Sequence, residues 1–99
     1  MELTGSQKRH LRGLGHRLDV KMSVGKAGLS EGVAAALKEL LNRHDLLKVR
    51  LPALPPEERE SLAEDLARSA GAVVAGAVGR TVLPYRPNET LGPQDRLGF

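Results

Sequence analysis

The period of the apolar residues switches across one short connection in this chain. Residues 20–24, Val-Lys-Met-Ser-Val, alternate apolar and polar, which is the period of a half-buried strand. From Glu31 onward Val33, Ala36, Leu37, Leu40 and Leu41 recur at helical spacing, ending near Arg43 or His44. The link between them, Val24-Gly25-Lys26-Ala27-Gly28-Leu29-Ser30, must therefore hand a strand to a helix. A domain built around that handover needs both a sheet and helices.

The link is also the first candidate site. Gly25 and Gly28 have no Cβ, so the chain can take positive φ at either and approach a ligand closely. Ser30 suits the N-cap of the helix that follows, leaving unpaired amides and the positive end of the helix dipole beside the loop. Lys26 adds a mobile cation at the tip. Such a loop suits a phosphate, although two glycines three apart also fit a plain tight turn. It is not a nucleotide-binding P-loop, because the four-residue gap and the Gly-Lys-Ser/Thr ending are missing.

Charge narrows the partner. The chain carries a formal charge of +3, but residues 1–50 hold ten Lys/Arg against five Asp/Glu, and residues 51–99 hold five against seven. The basic half contains the glycine loop, a polarity that suits a polyanion. Tyr85 and Phe99 are the only aromatic residues. Modules that stack bases on a sheet use two or three exposed rings, so nucleic-acid contact here would rest on phosphates and shape.

Elsewhere, Thr4 followed by Gln7 forms a capping-box pattern, and Leu11, Leu14 and Leu18 mark a first helix over residues 5 to about 15, weakened by Gly13 and Gly15. Lys8, Arg12 and His16 recur at four-residue intervals with Arg9 beside them, giving a basic stripe that equally fits a solvated helix face. Residues 46–51 read as a second strand, with Leu47, Val49 and Leu51 on one face and Lys48 and Arg50 on the other. Pro56 with Glu57 and Glu58 starts a third helix, whose buried side is Leu62, Ala63, Leu66 and Ala70 and whose left-handed C-cap is Gly71. The acids of that helix fit a solvated face better than acid/base catalysis. Residues 72–78 and 80–85 then form two short strands around Gly79. Pro84 cannot donate to a ladder, which makes the last strand an edge or ends it there.

The order helix-strand-helix-strand-helix-strand-strand implies a two-layer α/β domain with a four-stranded mixed sheet over residues 1–87, followed by a loose tail at 88–99. With no cysteine, and with His10, His16 and His44 lacking partners at ligand spacing, the chain is expected to hold no metal and no cofactor. No serine sits in a nucleophile-elbow pattern, so a binding module is expected rather than an enzyme. The N-terminal residues have no apolar h-region and no run spans a bilayer, so the expected location is the cytoplasm; a monomer is expected as well.

Three ordered segments carry a family resemblance. Val-Gly-Lys-Ala-Gly-Leu-Ser-Glu-Gly-Val at 24–33, Asn-Arg-His-Asp-Leu-Leu-Lys-Val-Arg-Leu at 42–51 and Val-Gly-Arg-Thr-Val-Leu-Pro-Tyr-Arg-Pro at 78–87 resemble successive signatures of the YhbY family, the stand-alone bacterial form of the CRM (chloroplast RNA splicing and ribosome maturation) domain. The pattern Gln-Lys-x-x-Leu-Arg-x-Leu-x-His at 7–16 extends the likeness to about residues 2–87. Pro84 departs from it, since the family runs apolar residues straight into Tyr-Arg-Pro.

The resemblance implies a fold similar to the C-terminal domain of translation initiation factor three. It also implies RNA binding, with association to precursors of the large ribosomal subunit. Carried over by position, the Gly-x-x-Gly loop is Gly25, Lys26, Ala27 and Gly28, the basic first-helix surface is Lys8, Arg9 and Arg12, and Arg80 and Arg86 complete the pattern. The expected function is thus a non-catalytic, RNA-binding ribosome assembly factor. The alternatives are a nucleoid-type DNA-binding protein and a protein-interaction module of the assembly machinery.

Overall fold

The computed structural model describes residues 3–87, and the tail expected at 88–99 lies outside the described residues. Local signals set most element boundaries. The capping box forms, with Thr4 Oγ1 accepting from the Gln7 amide at 3.1 Å and Gln7 Oε1 accepting from the Thr4 amide at 2.9 Å, and it opens α1 (Gly5–Gly15). Ser30 Oγ accepts from the Val33 amide and opens α2 (Glu31–Leu41). Pro56 is the first residue of α3 (Pro56–Ser69). Gly71 ends that helix at φ 67°, with its own amide donating to Arg68 O and the Ala72 amide to Ala67 O. That pair of bonds is a Schellman closure, and it needs a residue content in the left-handed region.

The strands are β1 (Met22–Ser23), β2 (Val49–Arg50), β3 (Val73–Val78) and β4 (Thr81–Tyr85), in the spatial order β1-β2-β4-β3. β1 and β2 are parallel, while β4 runs antiparallel to both β2 and β3, so the expected mixed four-stranded sheet is present. β1 and β2 are shorter than the alternating runs at 20–24 and 46–51. Even so, the Lys21 amide donates to Lys48 O and the Val24 amide to Arg50 O, which extends their pairing on both sides.

The main core lies between the sheet and the α2–α3 layer, where Val24, Leu37, Leu41, Leu47, Val49, Leu51, Leu66 and Val82 pack. Within α2 the apolar stripe is narrower than its sequence suggests, because Ala36 is exposed and Ala34 half-buried instead. A smaller cluster of Leu11, Leu46, Ala75, Leu83 and Tyr85 fills the other face under α1, so α1 adds cover on the far side of the α/β pair of layers. Tyr85 is thus a core residue. Two glycines permit this docking. A Cβ at Gly15 would lie 2.6 Å from Leu83 Cδ1, and a Cβ at Gly76 would overlap the Arg12 stem.

Pro84 does not mark an edge. β4 lies between β2 and β3, and all of Val82, Leu83, Pro84 and Tyr85 are buried. Alternation along β4 turns the Pro84 backbone toward β2, where its carbonyl accepts from the Leu47 amide at 3.1 Å. On the β3 side the register shifts between Val74 and Gly76, an irregularity of the kind that admits proline. The edge expectation failed because it read a missing donor as a missing neighbour.

Candidate nucleic-acid interface

The glycine loop is a closed turn. The Gly28 amide donates to Gly25 O at 2.9 Å, and Gly28 takes φ 73° while Gly25 stays out of the positive region. Only one of the two glycines is therefore required by conformation, and Gly25 serves instead as an open approach, since a Cβ there would meet nothing within 4 Å. Lys26 and Ala27 stand exposed at the tip. On its inner side the loop rests on α3, where a Cβ at Gly28 would lie 3.6 Å from Leu62 Cδ1. The exposed Glu31 carboxylate already occupies the first turn of α2. It offsets part of the helix dipole, so attraction for an anion must come chiefly from side-chain cations.

Those cations are gathered by backbone pairing. The Val24 amide donates to Arg50 O, and the Leu51 amide donates to Arg80 O. The residues just after β1, at the end of β2 and in the β3–β4 turn are consequently stitched together at one end of the sheet. Lys26, Arg50 and Arg80 belong to that end, and Arg59 joins it by donating from Nη1 to Gly79 O at 3.0 Å. Arg80 uses its Nε on Leu51 O at 3.3 Å while the residue stays exposed.

The sheet adds a second basic row. Met22, Val49 and Val82 face the main core, so their strand neighbours Ser23, Arg50 and Thr81 face the opposite side, in register with one another. By the same alternation Lys21 and Lys48 lie on that side. The smaller core under α1 draws its sheet residues from β3, β4 and Leu46, so this half-face carries Lys21, Ser23, Lys48, Arg50 and Thr81 beside the helix. Among the described residues no aromatic is on it, because Tyr85 is buried under α1. Contact with a nucleic acid there would be to phosphate and sugar.

The remaining sequence-selected residues lie elsewhere. Lys8, Arg9 and Arg12 are exposed on α1, on the other face of the sheet from the loop's α3 support, and they line a groove whose far wall is α3. Arg86 is half-buried and bound to the scaffold, with Nη1 donating to Ala70 O at 2.9 Å and Nη2 to Asn42 Oδ1 at 2.7 Å. It ties the C-terminal ends of α2 and α3 together. Sequence reasoning did not select Lys21, Arg50 or Arg59. The signal of the strand cations was present, since Lys21, Lys48 and Arg50 alternate with apolar residues, but the strand order that sets Arg50 beside Arg80 is not local. Among the described residues no group of three or more His, Cys, Asp or Glu is placed to hold a metal ion, and no helix is long and apolar enough to cross a membrane.

A small mixed α/β domain with a Gly-x-x-Gly turn and cations collected at one end of its sheet is the class that this geometry defines. The chain matches the CRS1 / YhbY (CRM) domain profile over residues 3–86 and belongs to that family. It is 35% identical to the Probable RNA-binding protein PA4753 of Pseudomonas aeruginosa over 88 residues, covering 89% of this chain and 85% of that protein. To an RNA-binding protein of Haemophilus influenzae it is 33% identical over 87 residues, with 88% of each chain covered. The solution structure of the hypothetical protein SAV1595 from Staphylococcus aureus superposes with a TM-score of 0.84 at 28% identity, over 98% of this chain and 100% of that one. The family indicated by the three sequence segments is thus the family found.

Proposed function

We propose that this chain is an RNA-binding protein and acts, without catalysis, as an assembly factor on precursors of the large ribosomal subunit. The observation that carries the reading is the hydrogen-bonded row that joins the glycine turn to Arg50 and Arg80 at one end of the sheet. Relatives named as RNA-binding proteins support it. Gly25, Ala27 and Gly28 let an RNA backbone come close, Lys26 neutralises a phosphate, and Arg50 and Arg80 hold the neighbouring ones. Lys8, Arg9 and Arg12 form a separate patch that raises the long-range attraction for a polyanion. Arg86 serves the same surface indirectly by fixing the helix ends. The protein works as a cytoplasmic monomer in this reading.

Fluorescence anisotropy with a large-subunit ribosomal RNA fragment tests it. The Lys26→Glu, Arg80→Glu double variant should lose affinity across RNA sequences, and its plot of log K against log salt should flatten by about 0.7 to 0.9 for each phosphate no longer neutralised. An unchanged affinity and slope would remove the loop end from the interface. The assembly role has its own test, sedimentation of a native-host lysate. Comigration with large-subunit precursors but not with mature subunits is expected, and protein confined to the top of the gradient would leave RNA binding without the ribosomal role.

A further inference from the structure

We infer that the free edge of β3 is a strand-addition site for an extended peptide whose acidic and basic side chains alternate. β3 is a sheet edge and at six residues the longest strand, paired on one side by β4. α1 overhangs it from one face and α3 from the other, leaving an open groove of about 810 Å³ with β3 as its floor. Val78, next along β3 from that floor, is 58% exposed. The turn Gly79–Arg80 makes Val78 and Thr81 the closing hydrogen-bonded pair, so Ala77, opposite Val82, turns its N–H and C=O outward to the groove. Native sheets normally blunt so long an edge, and an uncovered one is a template for another strand.

The walls specify the guest. Lys8, Arg9 and Arg12 line the α1 wall, and Glu57, Glu60 and Glu64 line the α3 wall, whose one cation, Arg59, is drawn to Gly79 O at the end of the groove. No ion pair spans the groove, because the two pairs found among the described residues are Arg43–Glu39 and Arg68–Asp65. An added strand would send successive side chains to opposite faces. A peptide with acids on its α1 side and bases on its α3 side satisfies both walls at once. RNA does not, because its phosphates would meet three carboxylates. A second copy of this chain fits no better, since edge-to-edge antiparallel pairing about a two-fold axis sets α1 beside α1 and α3 beside α3, each wall against its own sign.

The test uses two capped peptides of equal composition, long enough to span β3. One alternates Glu and Lys residue by residue, and the other repeats Glu-Glu-Lys-Lys, which places both signs on both faces. The alternating peptide should bind the full chain about tenfold more tightly at low salt and move the amide resonances of residues 74–78. Glu57→Gln, Glu60→Gln, Glu64→Gln should reduce the preference between the peptides, adding Lys8→Gln, Arg9→Gln, Arg12→Gln should abolish it, and Ala77→Pro should remove binding of both without costing a β4 hydrogen bond. Equal binding of the two peptides, or no movement of the β3 amides, would overturn the inference. So would an oligouridylate that moves those amides in place of the peptide, and so would a concentration-dependent dimer that Ala77→Pro dissociates.

Discussion

At the scale of single residues, Arg86 shows how one guanidinium can hold a fold together. Its bonds to Ala70 O and Asn42 Oδ1 span 16 and 44 residues of sequence. Arg86→Ala should lower stability in urea unfolding by about 1–3 kcal/mol, since a charged donor and two acceptors lose their partners. RNA affinity per folded molecule should change far less than with Lys26→Glu. Gly15→Ala sets two effects against each other. Alanine gains about 1 kcal/mol of helix propensity, but its Cβ would sit 2.6 Å from the buried Leu83 side chain, and overpacking costs about 1–3 kcal/mol. Net destabilisation in the same urea titration is the expected result. Local residue roles were legible in the sequence, as Thr4, Ser30 and Gly71 show, because a cap acts within one turn. Those of Arg86 and Gly15 were not, because their partners are brought in by the fold.

At the scale of elements, α1 is fastened to the sheet mainly through the fully buried Leu11. Leu11→Ala should cost about 2–5 kcal/mol, measured by thermal or urea unfolding. Hydrogen exchange should quicken first in α1 and at Ala75 and Leu83, the residues it covers. Element types were readable from period alone, and each helix starts where its sequence signals place it, while α2 ends at Leu41, two or three residues short of the expected end. Neighbour relations were harder. Pro84 pointed to an edge because a missing N–H was weighed without knowing which side of β4 it faced. Arg50 escaped selection because its closeness to Arg80 depends on β4 entering between β2 and β3. The Gly-x-x-Gly turn, by contrast, was legible as a turn, since one of that size depends on its own residues, but not which of its two glycines takes the positive φ that only Gly28 adopts.

For the whole molecule, the sheet order has a consequence for synthesis. β4, the last in sequence of the four described strands, lies inside the sheet, and its neighbours β2 and β3 do not pair with each other. Val82 belongs to one core, while Leu83 and Tyr85 belong to the other. A nascent chain stopped before Arg80 therefore has two parallel strands, three helices without a floor, and a glycine turn with neither Arg80 nor the Leu51 bond beside it. Protease resistance of ribosome-stalled chains should appear in a single step once Tyr85 has left the exit tunnel, with no protected fragment at shorter lengths. The row of cations proposed to hold RNA is thus assembled only when β4 closes the sheet, and a chain cut short of that strand has no such grip on the ribosome that is making it.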